Sequence, residues 1–263
     1  MTVDALLRQF GETQIAGFLL VLGRVGPLFL LAPLFSSKSV PARAKGLCAL
    51  ALTLGIAPIA VGKQEIPLDI LGYSELMIKE ILVGVAFAFA LGALFAAVST
   101  AGSFIDTLIG FSYGALVDPI TGNQSSVLTQ AYTLVGVLVL IAIGGDQLMI
   151  RGLARSYDLV PLLDAMPSMP SLVSGIQVAF SQVFRSALEL SAPVVLAIVI
   201  TDGAFGVVSR VVPQLNVFAV GFPAKVLVGL ALMGVTLPFV AGWLSDELEA
   251  SVSAALKTLQ VVS

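Results

Sequence analysis

The sequence predicts an all-α integral membrane protein of about six hydrophobic helices arranged in hairpins. Composition points there first, with 58% of residues hydrophobic and 11% charged. Mean hydropathy is +1.05. The third observation is a set of stretches that approach the roughly 20 apolar residues a helix needs to cross a bilayer. A soluble domain has roughly 25% charged and 45–50% apolar residues. With 13 Lys and Arg and 16 Asp and Glu among 263 residues, this chain cannot coat itself for water. Its solvent is lipid or a large apolar partner surface. High apolar content and a net charge of −3 exclude disorder. No Lys/Arg cluster supports nucleic-acid binding. The single cysteine, Cys48, lies in an apolar run and reads as a small core-like hydrophobe. Asp4, Glu12 and Arg24 argue against a cleaved signal peptide.

Taken in order, residues 2–10 place Leu6, Leu7 and Phe10 on one side of a short amphipathic piece. The first apolar stretch covers 14–35 and the second 44–61, with a Pro-containing break at 36–41 between them. A further break at 66–72 precedes the third stretch, 77–99. There Ala88, Gly92, Ala96 and Thr100 recur every four residues, and small side chains at that spacing let helices approach closely in a membrane. Such a face fits either a tight hairpin within the chain or a contact with another subunit. The fourth stretch is 127–145, followed by a Pro-rich connector at 161–170. The fifth and sixth are 187–209 and 217–244, joined across the break at 212–223. Residues 246–259 form an amphipathic end that opens with Asp246, Glu247 and Glu249 and carries Lys257 late, the order that a helix dipole favours. No stretch alternates long enough for a transmembrane barrel strand. Basic residues fix no orientation: Arg8, Lys63, Lys79, Arg151, Arg155 and Lys257 fall on one side, Lys38, Arg43, Lys45 and Arg210 on the other.

Six charges lie in or beside apolar stretches: Arg24, Glu80, Arg185, Glu189, Asp202 and Lys225. Each costs roughly 2.5–3.5 kcal/mol at a helix centre, so each needs a partner, a cavity or an aqueous path. Two readings follow, an ion relay or structural pairs inside an assembly. The chain has no histidine, which favours structural pairs. Arg185 and Glu189 are spaced to pair on one helix face.

Residues 110–114 match the G-x-S-x-G pattern of a nucleophile elbow, but that chemistry needs a base. With no histidine in the chain and no Lys or Arg between Lys79 and Arg151, no base is at hand. Asp106 and Asp118 are a weak aspartyl pair, since Asp118 precedes Pro119 in a turn-rich segment. No Walker A, H-E-x-x-H or paired cysteines occur, so the chain reads as a non-enzyme with no cofactor or metal site. Segment 110–126 is unusual in another way. It joins two apolar helices yet mixes glycines with Phe111, Tyr113, Leu116, Val117 and Ile120. An apolar, glycine-rich connector without basic residues suggests a re-entrant element, which needs protein or a water-filled cavity around it; a short interfacial loop is the other reading.

Three groups of residues resemble the R-type export-gate subunits of type III secretion, the FliR/SctT family. The first runs from Arg24-Val25-Gly26-Pro27-Leu28-Phe29 through Ala32-Pro33 and Val40-Pro41-Ala42-Arg43 to Ile56-Ala57-Pro58. The second is Gly110-Phe111, then Val117-Asp118-Pro119 and Gly122. The third runs from Val212-Pro213-Gln214-Leu215-Asn216-Val217-Phe218 to Gly221-Phe222-Pro223. The resemblance covers nearly the whole chain. It implies a P-like part at 1–165 and a Q-like hairpin with an amphipathic C-terminal helix at 166–263, fused near the 161–170 connector. It also implies P-type and Q-type subunits as partners, with B-type and A-type export proteins beside them and unfolded flagellar proteins in transit. The expected location is the bacterial inner membrane, within the flagellar basal body. The family's plug loop corresponds to Gly110, Phe111, Tyr113, Gly114, Leu116, Val117, Asp118, Pro119 and Gly122. One departure is visible. Flagellar relatives often carry histidine after the fourth stretch, where this chain has Gly144-Gly145-Asp146-Gln147. That bears on the flagellar-versus-injectisome distinction more than on the family. The rival readings are an ion-coupled small-molecule transporter using Glu80, Glu189 and Asp202, and an intramembrane hydrolase.

Overall fold

The computed structural model describes residues 11–37, 40–62, 66–111, 127–164 and 169–260, and every regular element among them is helical. Helix α1, Glu12–Leu31, ends where Ala32 precedes Pro33 and turns extended, as residues before proline do. After a short 3₁₀ turn at Leu34–Ser36, α2 runs Ala42–Val61. Its first turn starts on the Pro41 carbonyl, which accepts from the amides of Ala44 and Lys45. Helix α3 is Ile70–Ile109, capped by the Asp69 carboxylate on the Gly72 amide at 2.8 Å. Then come α4, Val127–Ala142, and α5, Gly145–Leu159, separated by Gly144 at a φ of 71° that glycine adopts without strain. Helices α6, Met169–Val211, and α7, Val217–Gln260, complete the chain. Asn216 caps α7 through its side-chain oxygen on the Ala219 amide at 3.2 Å.

Five described helices are long and apolar enough to cross a membrane, or six spans if α4 and α5 are one broken crossing. The six apolar stretches read from the sequence therefore correspond to α1, α2, α3, α4, α6 and α7. Three of these helices outrun their stretches. Helix α3 has 40 residues, about 60 Å of helix against a hydrocarbon core of roughly 30 Å. Hydropathy marks where a helix is apolar, and its polar ends at 70–76 and 100–109 carry no helix breaker. For the same reason the amphipathic piece at 246–259 is no separate element; it continues α7 to Gln260.

Chain contacts divide the molecule into two units. The first comprises Met1–Gly92, Gly144–Ala179 and Leu248–Ser263. Its core brings Leu20, Val21, Val25 and Leu28 of α1 together with Val83 and Phe87 of α3, Met149 and Leu153 of α5, and Leu248 of α7. Helices α1 and α3 run parallel here, with Ala16 opposite Tyr73, Arg24 opposite Gly84 and Leu31 opposite Gly92. A Cβ at Gly84 would collide with the Arg24 backbone, so this crossing requires glycine. The second unit comprises Ala93–Ile143 and Phe180–Glu247. In it α3 presses on α4 at Gly102, where a Cβ would stand 2.9 Å from the Thr129 Cα.

Burial is uneven. The apolar windows of α1 and α3 are 44% and 50% buried, whereas those of α2, α6 and α7 are 17%, 17% and 11%. Leu54 and Ile59 on α2, Ile200 on α6 and Leu227 and Val235 on α7 face outward. That much exposed apolar surface calls for lipid or protein partners. Cys48 also lies on the exposed face of α2 rather than in a core, contrary to the sequence expectation, because α2 turns most of its surface outward.

Candidate functional site

The expected plug begins where α3 ends. Its last turn is closed by the Asp106 carbonyl, which accepts from the amides of Gly110 at 3.0 Å and Phe111 at 3.2 Å. Gly110 has a φ of 106°, a conformation that ends the helix and that side chains beyond glycine rarely tolerate. Phe111 then meets Phe222 of α7 edge-to-face, ring centroids 5.8 Å apart. Two residues back, Ile109 fills the notch left by Gly229 on α7, where a Cβ would overlap it. Lys225 Nζ lies 2.5 Å from Asp202 Oδ1 on α6 and 3.5 Å from the Leu108 carbonyl at the end of α3. These residues border a cavity of about 1030 Å³ lined also by Phe205, Val217 and Pro223. Of the expected plug residues, Gly110 and Phe111 are placed at this α6–α7 hairpin tip. Tyr113, Gly114, Leu116, Val117, Asp118, Pro119 and Gly122 lie outside the described residues, as does Ser112 of the elbow motif.

The first unit holds a buried charge cluster. Arg24 grips Glu80 as a two-pronged fork, Nε to Oε2 at 2.6 Å and Nη2 to Oε1 at 2.8 Å. Its remaining N–H groups reach the Ser156 carbonyl at 3.0 Å, the Ser156 hydroxyl at 3.2 Å and the Val160 carbonyl at 2.8 Å. The Tyr157 ring lies 4.1 Å from the guanidinium carbon, a cation–π contact. Lys79 stands 3.4 Å from Glu80 and donates to the carbonyls of Pro161, Leu162 and Asp164 at 2.8, 2.5 and 3.1 Å. Two cations and one anion leave an excess positive charge. The C-terminal end of α5 and the loop after it offset that charge with their free carbonyls.

All six charges expected in apolar stretches therefore pair with one another: Arg24 with Glu80, Arg185 with Glu189 at 3.1 Å, and Asp202 with Lys225. Of these three, only the Arg24–Glu80 pair is fully buried; the Arg185–Glu189 pair is largely exposed and the Lys225–Asp202 pair partly so, because both stand on outward-facing stretches of α6 and α7. In the small-residue series Ala88 is buried, Gly92 abuts the Leu31 carbonyl, and Ala96 is exposed. The closest crossing is at Gly84, one step earlier in the same every-fourth spacing. Sequence reasoning missed α5 and the carbonyls it supplies, and counted Lys79 among the basic residues flanking the spans although it is buried in α3. A signal for α5 existed: Gly144 followed by Asp146 is a helix start, and Met149, Leu153, Ser156 and Tyr157 fall at helical spacing.

The sequence model of a family described as bacterial export proteins, family 1, matches residues 15–251. The chain belongs to that family. Among curated members, the flagellar biosynthetic protein FliR of Bacillus subtilis is 33% identical over 226 residues, covering 85% of this chain and 86% of the relative. FliR of Escherichia coli is 30% identical over 83% of each chain. The surface presentation of antigens protein SpaR of Salmonella typhimurium is 28% identical over 83% of this chain and 82% of its own length. The export-protein family model reaches into all seven described helices, and both the hairpin tip and the Arg24 cluster lie inside the matched region.

Proposed function

We propose that this chain is a structural and gating subunit of the flagellar type III protein-export gate. The observation that supports it best is the likeness to FliR of Bacillus subtilis along 85% of the chain and 86% of that relative. In this reading the part at 1–165 is P-like and the part at 166–263 is Q-like. The subunit joins P-type and Q-type subunits in the bacterial inner membrane at the flagellar basal body, with A-type and B-type export proteins beside them. Unfolded protein is its cargo. Closure is steric: Phe111, Tyr113, Leu116 and Val117 obstruct the path, and Gly110, Gly114 and Gly122 let the segment yield. Ala88 and Gly92 tighten packing within the subunit, and Ala96 faces a neighbour. The cores and charge pairs serve architecture rather than turnover, and energy for transport comes from other components.

The SpaR likeness and the Gly144–Gln147 departure favour an injectisome gate as the second reading. The small-molecule transporter gains no support from its three acids, since Glu80, Glu189 and Asp202 each stand in an ion pair. Deleting the chain in its native host tests the proposal. Loss of flagellar-subunit secretion supports it, loss of injectisome secretion alone moves the function to the second reading, and intact export of both kinds overturns it. Deleting residues 111–122 tests the plug: small solutes should leak through an assembled complex, and unchanged permeability would contradict it.

A further inference from the structure

We infer that Lys225 is the positioning residue that ties the end of α3, and so the root of the candidate gate, to the α6–α7 hairpin. The inference rests on the gating reading above but concerns a contact that reading does not use. Leu108 lies in the last turn of α3, where the carbonyls carry the negative end of the helix dipole. Among the described contacts, Lys225 is the cation that approaches them, 3.5 Å from the Leu108 oxygen. Asp202 fixes that cation from α6 at 2.5 Å. The polar tie therefore involves three helices, and it works in an apolar setting of Ile109, Phe111, Phe205 and Phe222, where a lone charge is costly.

The surrounding backbone is built to yield rather than to hold. Pro223, two residues before Lys225, removes a helical N–H and weakens the first turns of α7. On α6, Gly203 and Gly206 flank the turn after Asp202 with open space around them, and glycines lower helix stability. With both helices softened at the tip, the ion pair and its reach to Leu108 carry a share of the alignment that backbone stiffness would otherwise supply. The Ile109–Gly229 notch is apolar and non-directional, and the Phe111–Phe222 pair orients only the two rings. Lys225 supplies the direction.

The test uses the complex assembled in its native membrane, with Cys48→Ser as background. Cysteines replace Phe111 and Phe222, and a short bifunctional thiol reagent reads their proximity. Lys225→Met, which keeps the apolar stem, should lower cross-linking roughly threefold, the scale of a cation at a helix end. Asp202→Asn should lower it less, and Lys225→Arg should restore most of it. Unchanged cross-linking in assembled Lys225→Met overturns the inference. Should that variant fail to assemble, Asp202→Asn decides by the same criterion. Solute leakage, measured on the same samples, separates the two readings: reduced cross-linking without leakage upholds the tie while contradicting the gate.

Discussion

Arg24 is the residue on which the first unit turns. A guanidinium has five N–H donors in a fixed fork, and each direction here has an acceptor. Glu80 matters most among them, because without it two buried cations would face each other with only carbonyls between. Removing one partner of a buried pair typically costs about 3–5 kcal/mol. Glu80→Met should therefore lower the thermal midpoint of the detergent-purified protein sharply, and Arg24→Lys, which cannot form the fork, should lower it too. A midpoint within a degree or so of the parent for Glu80→Met would contradict the assignment. Tyr157 separates ring from hydroxyl. Its oxygen lies 3.4 Å from the Val21 carbonyl, a long contact, whereas its ring covers the guanidinium. Tyr157→Phe should cost no more than about 1 kcal/mol and Tyr157→Ala clearly more, as read by the same midpoints.

At the level of helices, glycine placement sets what can change. A Cβ at Gly84 meets the Arg24 backbone, which cannot move aside as a side-chain tip can. Gly84→Val should abolish recovery of folded protein, whereas Gly55→Ala on α2, with nothing within 4 Å, should be neutral or stabilising by up to about 1 kcal/mol. Equal yields of the two in a membrane-fraction assay would refute the α1–α3 crossing. Ala96 gives a different test, since it faces outward from this chain: Ala96→Leu should leave the subunit folded but reduce its recovery in the complex. Normal complex yield would mean no neighbour packs there. Six of the seven described helices were legible because an apolar stretch bounded by proline or glycine is a local signal, and α5 was not, because it is too polar to stand out by hydropathy. The lengths of α3, α6 and α7 were not, since hydropathy falls away at polar ends while hydrogen bonding continues. The every-fourth small residues were visible, yet which of them makes the closest crossing depends on the partner helix, and Arg24 chose Gly84. The six charges could be flagged from cost alone. Their pairing across 56 residues, as with Arg24 and Glu80, is a tertiary fact that no spacing announces.

For the molecule as a whole, the outward apolar faces of α2, α6 and α7 and the family membership point the same way. Apolar faces of that extent need cover from lipid or from other subunits of an export apparatus. The plug proposed for 111–122, the tie inferred at Lys225 and the outward-facing Ala96 all bear on such an assembly. The most direct test of that claim is gentle detergent extraction of the tagged chain from its native membrane, followed by mass spectrometry of the proteins that come with it. Recovery of P-type and Q-type export subunits together with flagellar basal-body proteins is the expected result. A chain recovered alone, monodisperse and able to move a small solute, would contradict it.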